Sequence, residues 1–179
     1  NMWDGKLGLS HYYDGEPHVP GLLADTVLLT TACLDAYESG AGEDWLGHSI
    51  EAASWMLANL EDESSGGLYD CVVAPGDEGL SSERIKPPVE NSQAASALVR
   101  LKQNTGQVRF GEAAGRALSL FAGSYKDLGL FSAEYALAVQ RLLEPPVQVT
   151  ITGPLGDNGT SEMIKAAHRA RVPFRSVEV

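Results

Sequence analysis

The chain has 179 residues, 44% hydrophobic and 21% charged, the values of a globular domain large enough to bury a core. A formal net charge of −11 and a pI near 4.7 exclude nucleic acid as a partner, since phosphate binding needs a cationic patch, and disfavour anionic membrane surfaces. No apolar run approaches the ~20 residues of a bilayer span, no secretory leader is visible, and two cysteines make neither a disulfide framework nor a metal cluster, so a reducing cytoplasm is the expected setting.

Asn1-Met2 and the run Trp3 to Gly8 carry no cap or strand signal, so the chain reads as starting mid-protein. Residues 1–20 read as loop and turn, punctuated by Asp4-Gly5, Asp14-Gly15 and Pro17…Pro20-Gly21. A first helix is predicted over about 21–38, with Leu23, Val27, Cys33, Leu34 and Tyr37 on one face; Cys33 there is a small buried hydrophobe. A second spans about 43–60, opened by Glu43 and Asp44 at its positive dipole end. Residues 61–87 are a long Gly-, Ser- and acid-rich excursion, within which 67–73 can pair as an irregular strand. Helices follow at about 89–103, 108–124 and 131–144, the last stopped by Pro145-Pro146. Then come a strand at 147–152, a turn-rich loop at 153–159, a helix at 160–171 and a strand at 174–179, a parallel pair with a right-handed crossover.

One internal repeat organises the helices. Leu34 and Leu98, Tyr37 and Leu101, Gly42 and Gly106, Leu46 and Phe110, Ala53 and Ala117, and Leu57 and Phe121 all match at an offset of 64 residues. The unit is a helical hairpin, which cannot bury its apolar face alone and therefore stacks on its neighbours. The fold expected is mostly α: α/α hairpins over residues 1–146, a partial toroid, with a short βαβ tail over 147–179 packed on it.

Several segments also resemble a known family. Leu9-Ser10-His11-Tyr12-Tyr13-Asp14-Gly15, Val19-Pro20-Gly21-Leu22-Leu23-Ala24-Asp25, Gly66-Gly67-Leu68-Tyr69-Asp70, Lys86-Pro87-Pro88-Val89-Glu90-Asn91-Ser92 and Pro145-Pro146-Val147 are similar to the later part of the YyaL-type thioredoxin-domain-containing proteins, relatives of the spermatogenesis-associated thioredoxin-like protein. The resemblance implies an N-terminal thioredoxin-like domain on the same polypeptide as a partner. It also implies an α/α toroid similar to N-acylglucosamine 2-epimerases and six-hairpin glycosidases. The chain departs from the family at Ala24-Asp25-Thr26, where many members carry Asp-Asp-Tyr, and at Pro88-Val89-Glu90, where many carry Pro-Ser-Gly.

Candidate chemistry clusters near the predicted helix starts. Asp25 and Glu90 fall at equivalent N-terminal ends, where carboxylates serve either as caps or as a general acid and base on a sugar. His11, just before the first helix, is the residue type suited to proton transfer near neutrality. Tyr12 and Tyr13 offer stacking faces, and Asn91 is a further candidate for substrate contact. His18 and His48 have weaker claims, His48 as an exposed helix residue. No metal-ligand spacing, nucleophile signature or cofactor motif is expected; Gly153, Gly156 and Gly159 follow turn chemistry rather than a phosphate-loop pattern. The functional expectation is a scaffold or binding module without activity of its own. The alternative is a carbohydrate-active domain, epimerase-like or glycosidase-like, working through Asp25, Glu90 and His11. Open helix flanks and free strand edges also point to a homodimer.

Overall fold

The computed structural model describes residues 2–73, 83–170, 172 and 174–178. Both predicted hairpins are present. Helix α1 (Leu23–Glu38) turns at Gly40 and Gly42 into α2 (Asp44–Leu60), and α3 (Pro88–Thr105) turns at Gly106 into α4 (Val108–Ser119). Gly42 and Gly106 match in the repeat because both turns need a positive φ, 120° and 70°. Helix α5 (Ser132–Leu143) then packs on α3. Since each hairpin returns the chain, α1, α3 and α5 form one side-by-side row, with α2 and α4 on its outside.

The core explains the repeat position by position. Leu34 and Leu98 are fully buried, as are Ala53 and Ala117, whose lack of bulk lets neighbouring helices approach closely. Phe110 fills the slot that Leu46 fills in the first hairpin, and α3 and α4 add Ala94, Ala95, Ala97, Ala113 and Ala114. Buried hydroxyls stay satisfied by bonding back one helical turn: Thr26 Oγ1 donates to Leu22 O at 2.9 Å, Thr30 Oγ1 to Thr26 O at 2.8 Å, Ser92 Oγ to Pro88 O at 2.7 Å. Ser49 instead donates across the hairpin to Thr30 O at 3.0 Å. Among the described residues no buried side-chain nitrogen or oxygen lacks a partner.

The helices of the row are level with one another. Asp35 and Arg100 are each the thirteenth residue of their helix, counted from Leu23 and Pro88, and they share a 2.6 Å ion pair. Asp25 and Glu90 are each the third residue, so they stand at one level about 15 Å further back along the row, at 1.5 Å per residue.

The start of the chain differs from the loop expected there. Strands β1 (Trp3–Asp4), β2 (Gly8–Tyr13) and β3 (Pro17–Pro20) form an antiparallel sheet in the order β1-β2-β3, with Tyr12 opposite His18 and Ser10 opposite Pro20. Its strands escape periodicity because His11, Tyr12 and Tyr13 are consecutively exposed, so no apolar–polar alternation marks them. Trp55 of α2 anchors the sheet: its indole N–H donates to Lys6 O at 3.1 Å, and Trp3 packs edge-on against it. Gly8 (φ 88°) passes directly over that indole, where a Cβ would stand 2.5 Å from a ring carbon.

Further along the chain one boundary moves. Helix α4 ends at Ser119 rather than near 124, because the chain turns through Ala122-Gly123-Ser124 into a 3-10 segment, Tyr125–Phe131, broken at Gly129 (φ 58°, ψ −126°). Among the described residues the excursion pairs at single bridges, Glu61 with Leu68 and Leu22 with Cys71; its stretch 74–82 lies outside the described residues. The tail is the parallel βαβ unit expected, β4 (Val147–Thr150), α6 (Asn158–Arg169) and β5 (Arg175–Glu178). Asp157 caps α6, accepting from the N–H groups of Gly159 (2.8 Å) and Thr160 (3.2 Å), which is how the glycine-containing loop is used.

Candidate functional site

The hairpin β2–β3 stands over the start of α1 and places the exposed group of rings found in the sequence. His11 Nδ1 lies 2.9 Å from Asp25 Oδ2. The imidazole is half exposed while the carboxylate is mostly covered, at 54% and 18% of the side-chain surface. In the tautomer with the proton on Nδ1, that N–H donates to Asp25 Oδ2, so the carboxylate orients the ring and Nε2 is the basic nitrogen. Asp25 is therefore tied to an imidazole rather than to a helix N–H: α1 starts at Leu22 without a side-chain cap.

The other rings surround this pair. Tyr12 stacks on His18 with centroids 4.9 Å apart, and its edge meets His11 at 6.4 Å. His18 Nε2 is held 2.7 Å from Asp14 Oδ1, so one short hairpin carries two imidazole–carboxylate pairs around a tyrosine. Tyr12 and Tyr13 are 47% and 59% exposed. His48 lies apart on α2, exposed and edge-on to Trp45.

Glu90 occupies the first turn of α3, level with Asp25, and α3 has no side-chain cap. Asn91, its neighbour, does something else. It is completely buried; its Nδ2 donates to Leu68 O (2.9 Å) and Pro87 O (2.9 Å), and its Oδ1 accepts from Leu68 N–H (2.7 Å). An amide spent wholly on backbone has no surface for a substrate, so Asn91 is a clamp that holds residues 66–68 against α3. Sequence reasoning mistook it because an Asn in a first helical turn looks exposed until the loop that covers it is known.

The segment that Asn91 grips holds a second polar network, which sequence reading missed. Asp62 accepts from Lys86 Nζ (2.8 Å), Ser64 Oγ (2.6 Å), Ser65 Oγ (2.7 Å) and Tyr69 OH (3.0 Å). These bonds, Lys86 foremost, hold its carboxyl far below the usual range. A depressed pKa gives stability that is present above the unfolded value near about pH 4 and is lost as the pH falls below it. Asp62→Asn is expected to lower the urea midpoint at neutral pH, with the gap to the parent closing progressively below about pH 4. A gap independent of pH would contradict this. The available signal was the spacing of Asp62, Ser64, Ser65 and Lys86 within the long Gly-, Ser- and acid-rich excursion. Cys33 is inert by comparison, since burial pushes its thiol up.

Among the described residues no group of three or more His, Cys, Asp or Glu is placed to hold a metal ion, and no helix is long and apolar enough to cross a membrane.

This architecture, parallel inner helices with their partners outside, is shared in fold with solved α/α toroid glycosidases. A family 76 glycoside hydrolase (mannosidase) from Bacteroides thetaiotaomicron VPI-5482 superposes with a TM-score of 0.60 at 18% identity, over 79% of this chain and 44% of that one. A family 76 glycoside hydrolase from a bovine Bacteroides thetaiotaomicron strain gives 0.61 at 14% identity (78% and 35%), and a family 76 α-mannanase from Bacteroides thetaiotaomicron gives 0.61 at 16% (79% and 41%). These likenesses show the fold, and the chain spans less than half the length of each solved structure. No protein-family model matches the sequence, and no curated protein does. The toroid half of the family resemblance thus stands, while its thioredoxin half gains no support.

Proposed function

We propose that this chain is the sugar-handling part of an α/α toroid, recognising a glycan over the β2–β3 hairpin and transferring protons there. The observation that carries the reading is the His11–Asp25 pair, 2.9 Å apart at the head of an inner helix and flanked by the exposed rings of Tyr12 and Tyr13. The fold supports it, since the solved neighbours are glycoside hydrolases. The scaffold reading has no comparable observation behind it.

In this mechanism Tyr12 and Tyr13 pack against the apolar faces of sugar rings. His11 Nε2 exchanges a proton with the reacting oxygen, and Asp25 sets its tautomer. Glu90 supplies the second carboxylate. Neighbouring helices lie about 8–10 Å apart, so two first-turn carboxylates on α1 and α3 suit a geometry with water between them, the inverting arrangement, better than the ~5 Å of a retaining pair.

Because the solved neighbours include mannosidases, α-linked manno-oligosaccharides are the first ligands to try. Calorimetry is expected to find saturable binding that Tyr12→Ala with Tyr13→Ala weakens about tenfold or more, each ring contributing on the order of 1 kcal/mol. Equal binding by the double variant, or none by the parent to any neutral glycan, contradicts the reading.

A further inference from the structure

The end of the helix row opposite His11 holds a cleft. It encloses about 340 Å³ between the C-terminal ends of α1, α3 and α5 and the βαβ tail, lined among others by Asp35, Glu38, Arg100, Arg141, His168 and Phe174. Its lining is mostly polar, and its size is at the lower end of small-molecule sites, enough for a single monosaccharide-sized ligand.

Its two arginines are in different situations. Arg100 is nearly enclosed and paired: Nε and Nη2 grip Glu38 at 3.2 and 2.8 Å, and Nη2 also reaches Asp35 at 2.6 Å. Glu38 is saturated further by Asn104 Nδ2 at 3.0 Å. Arg141, in the last turn of α5, has no hydrogen bond or ion pair with any described residue. Its guanidinium lies over the Phe174 ring, 4.5 Å from the centroid, and the side chain lines the cleft. Burial and then the neighbouring Arg100 press its charge down, which Glu38 and Asp35 partly offset from a distance. An arginine held by an aromatic face, in a pocket whose carboxylates are bonded to Arg100, has no acceptor among the described residues.

We propose that this cleft binds a small monocarboxylate, such as a sugar acid, through a two-pronged bond to Arg141, with His168 on the adjoining wall. A planar carboxylate matches the guanidinium fork. A single charge is what the cleft accepts, because Asp35 and Glu38 face the same space and repel a phosphate dianion. The site lies near the far end of the helices from His11 and does not depend on the glycan reading.

The test uses the whole chain with glucuronate as probe, and glucose 6-phosphate and inorganic phosphate as comparisons, by calorimetry and by NMR of the arginine side chains. Glucuronate is expected to bind saturably and to shift the Arg141 Nε–H signal, with Arg141→Gln weakening it about tenfold or more and Arg141→Lys falling between. Arg141→Gln must retain the parent's unfolding midpoint; should it not, Phe174→Leu, which removes only the ring beneath the guanidinium, is expected to weaken glucuronate severalfold. No binding up to high millimolar glucuronate, undiminished binding by Arg141→Gln, or equal affinity for phosphate overturns the proposal.

Discussion

Asn91→Ala is expected to destabilise the protein by about 3 kcal/mol or more, lowering the melting temperature by roughly 6–12 °C for a chain of this size. The magnitude follows from what the amide leaves behind. Leu68 is 1% exposed, and the substitution strips partners from its buried N–H and C=O together. An unsatisfied buried backbone group costs about 1–3 kcal/mol, far more than the net gain of an ordinary hydrogen bond. The neighbouring Ser92→Ala is the internal control. Ser92 is just as buried but bonds only to Pro88 O in its own helix, so its removal is expected to cost about 1 kcal/mol. Urea unfolding followed by circular dichroism separates the two. Equal effects from both substitutions contradict the clamp assigned to Asn91.

The second large effect is on chemistry. Under the glycan reading, His11→Ala is expected to reduce turnover of a cleaved or epimerised sugar by about 10²–10⁴-fold, the usual worth of a positioned acid or base. Its folding should be nearly unchanged, because more than half of the imidazole surface is in solvent. Asp25→Asn keeps the size of the side chain, but the amide can donate to Nδ1, favouring the wrong tautomer. It is expected to lower turnover nearly as far as His11→Ala while leaving the unfolding midpoint in place. Turnover unchanged by Asp25→Asn contradicts the orienting role given to Asp25. His18→Ala serves as comparison, since its carboxylate partner Asp14 is 66% exposed and belongs to the hairpin tip.

Much of the helical architecture was legible because the cause was local. Leu34 with Leu98 and Ala53 with Ala117 repeat at one offset since each pair fills the same layer of a stacked hairpin, and Gly42 with Gly106 repeat since each turn needs a left-handed residue. The β1–β3 sheet was illegible for the opposite reason. What holds it is Trp55, nearly fifty residues away, whose indole N–H reaches Lys6 O and whose ring demands glycine at position 8. Nothing near residues 3–13 announces that partner.

The candidate site divides in the same way. Residue type and helix position singled out His11 and Asp25, and the fold brings them to 2.9 Å. The helix-cap alternative for Asp25 does not apply, because its carboxylate is turned to an imidazole. Asn91 shared the same neighbourhood in the chain but faces inward, a direction that only the covering loop decides. Asp62 and Arg141 went unnoticed because their significance rests on what converges on them, or fails to, across long sequence separations.

The most direct test of the glycan reading is heteronuclear NMR of the chain titrated with α-linked mannobiose and mannotriose. The account predicts saturable shifts that begin at His11, Tyr12, Tyr13 and Asp25, with the imidazole nitrogens of His11 among the largest, and little change around Arg141 and the tail. Shifts that are absent at millimolar sugar, or that gather away from the β2–β3 hairpin, contradict it.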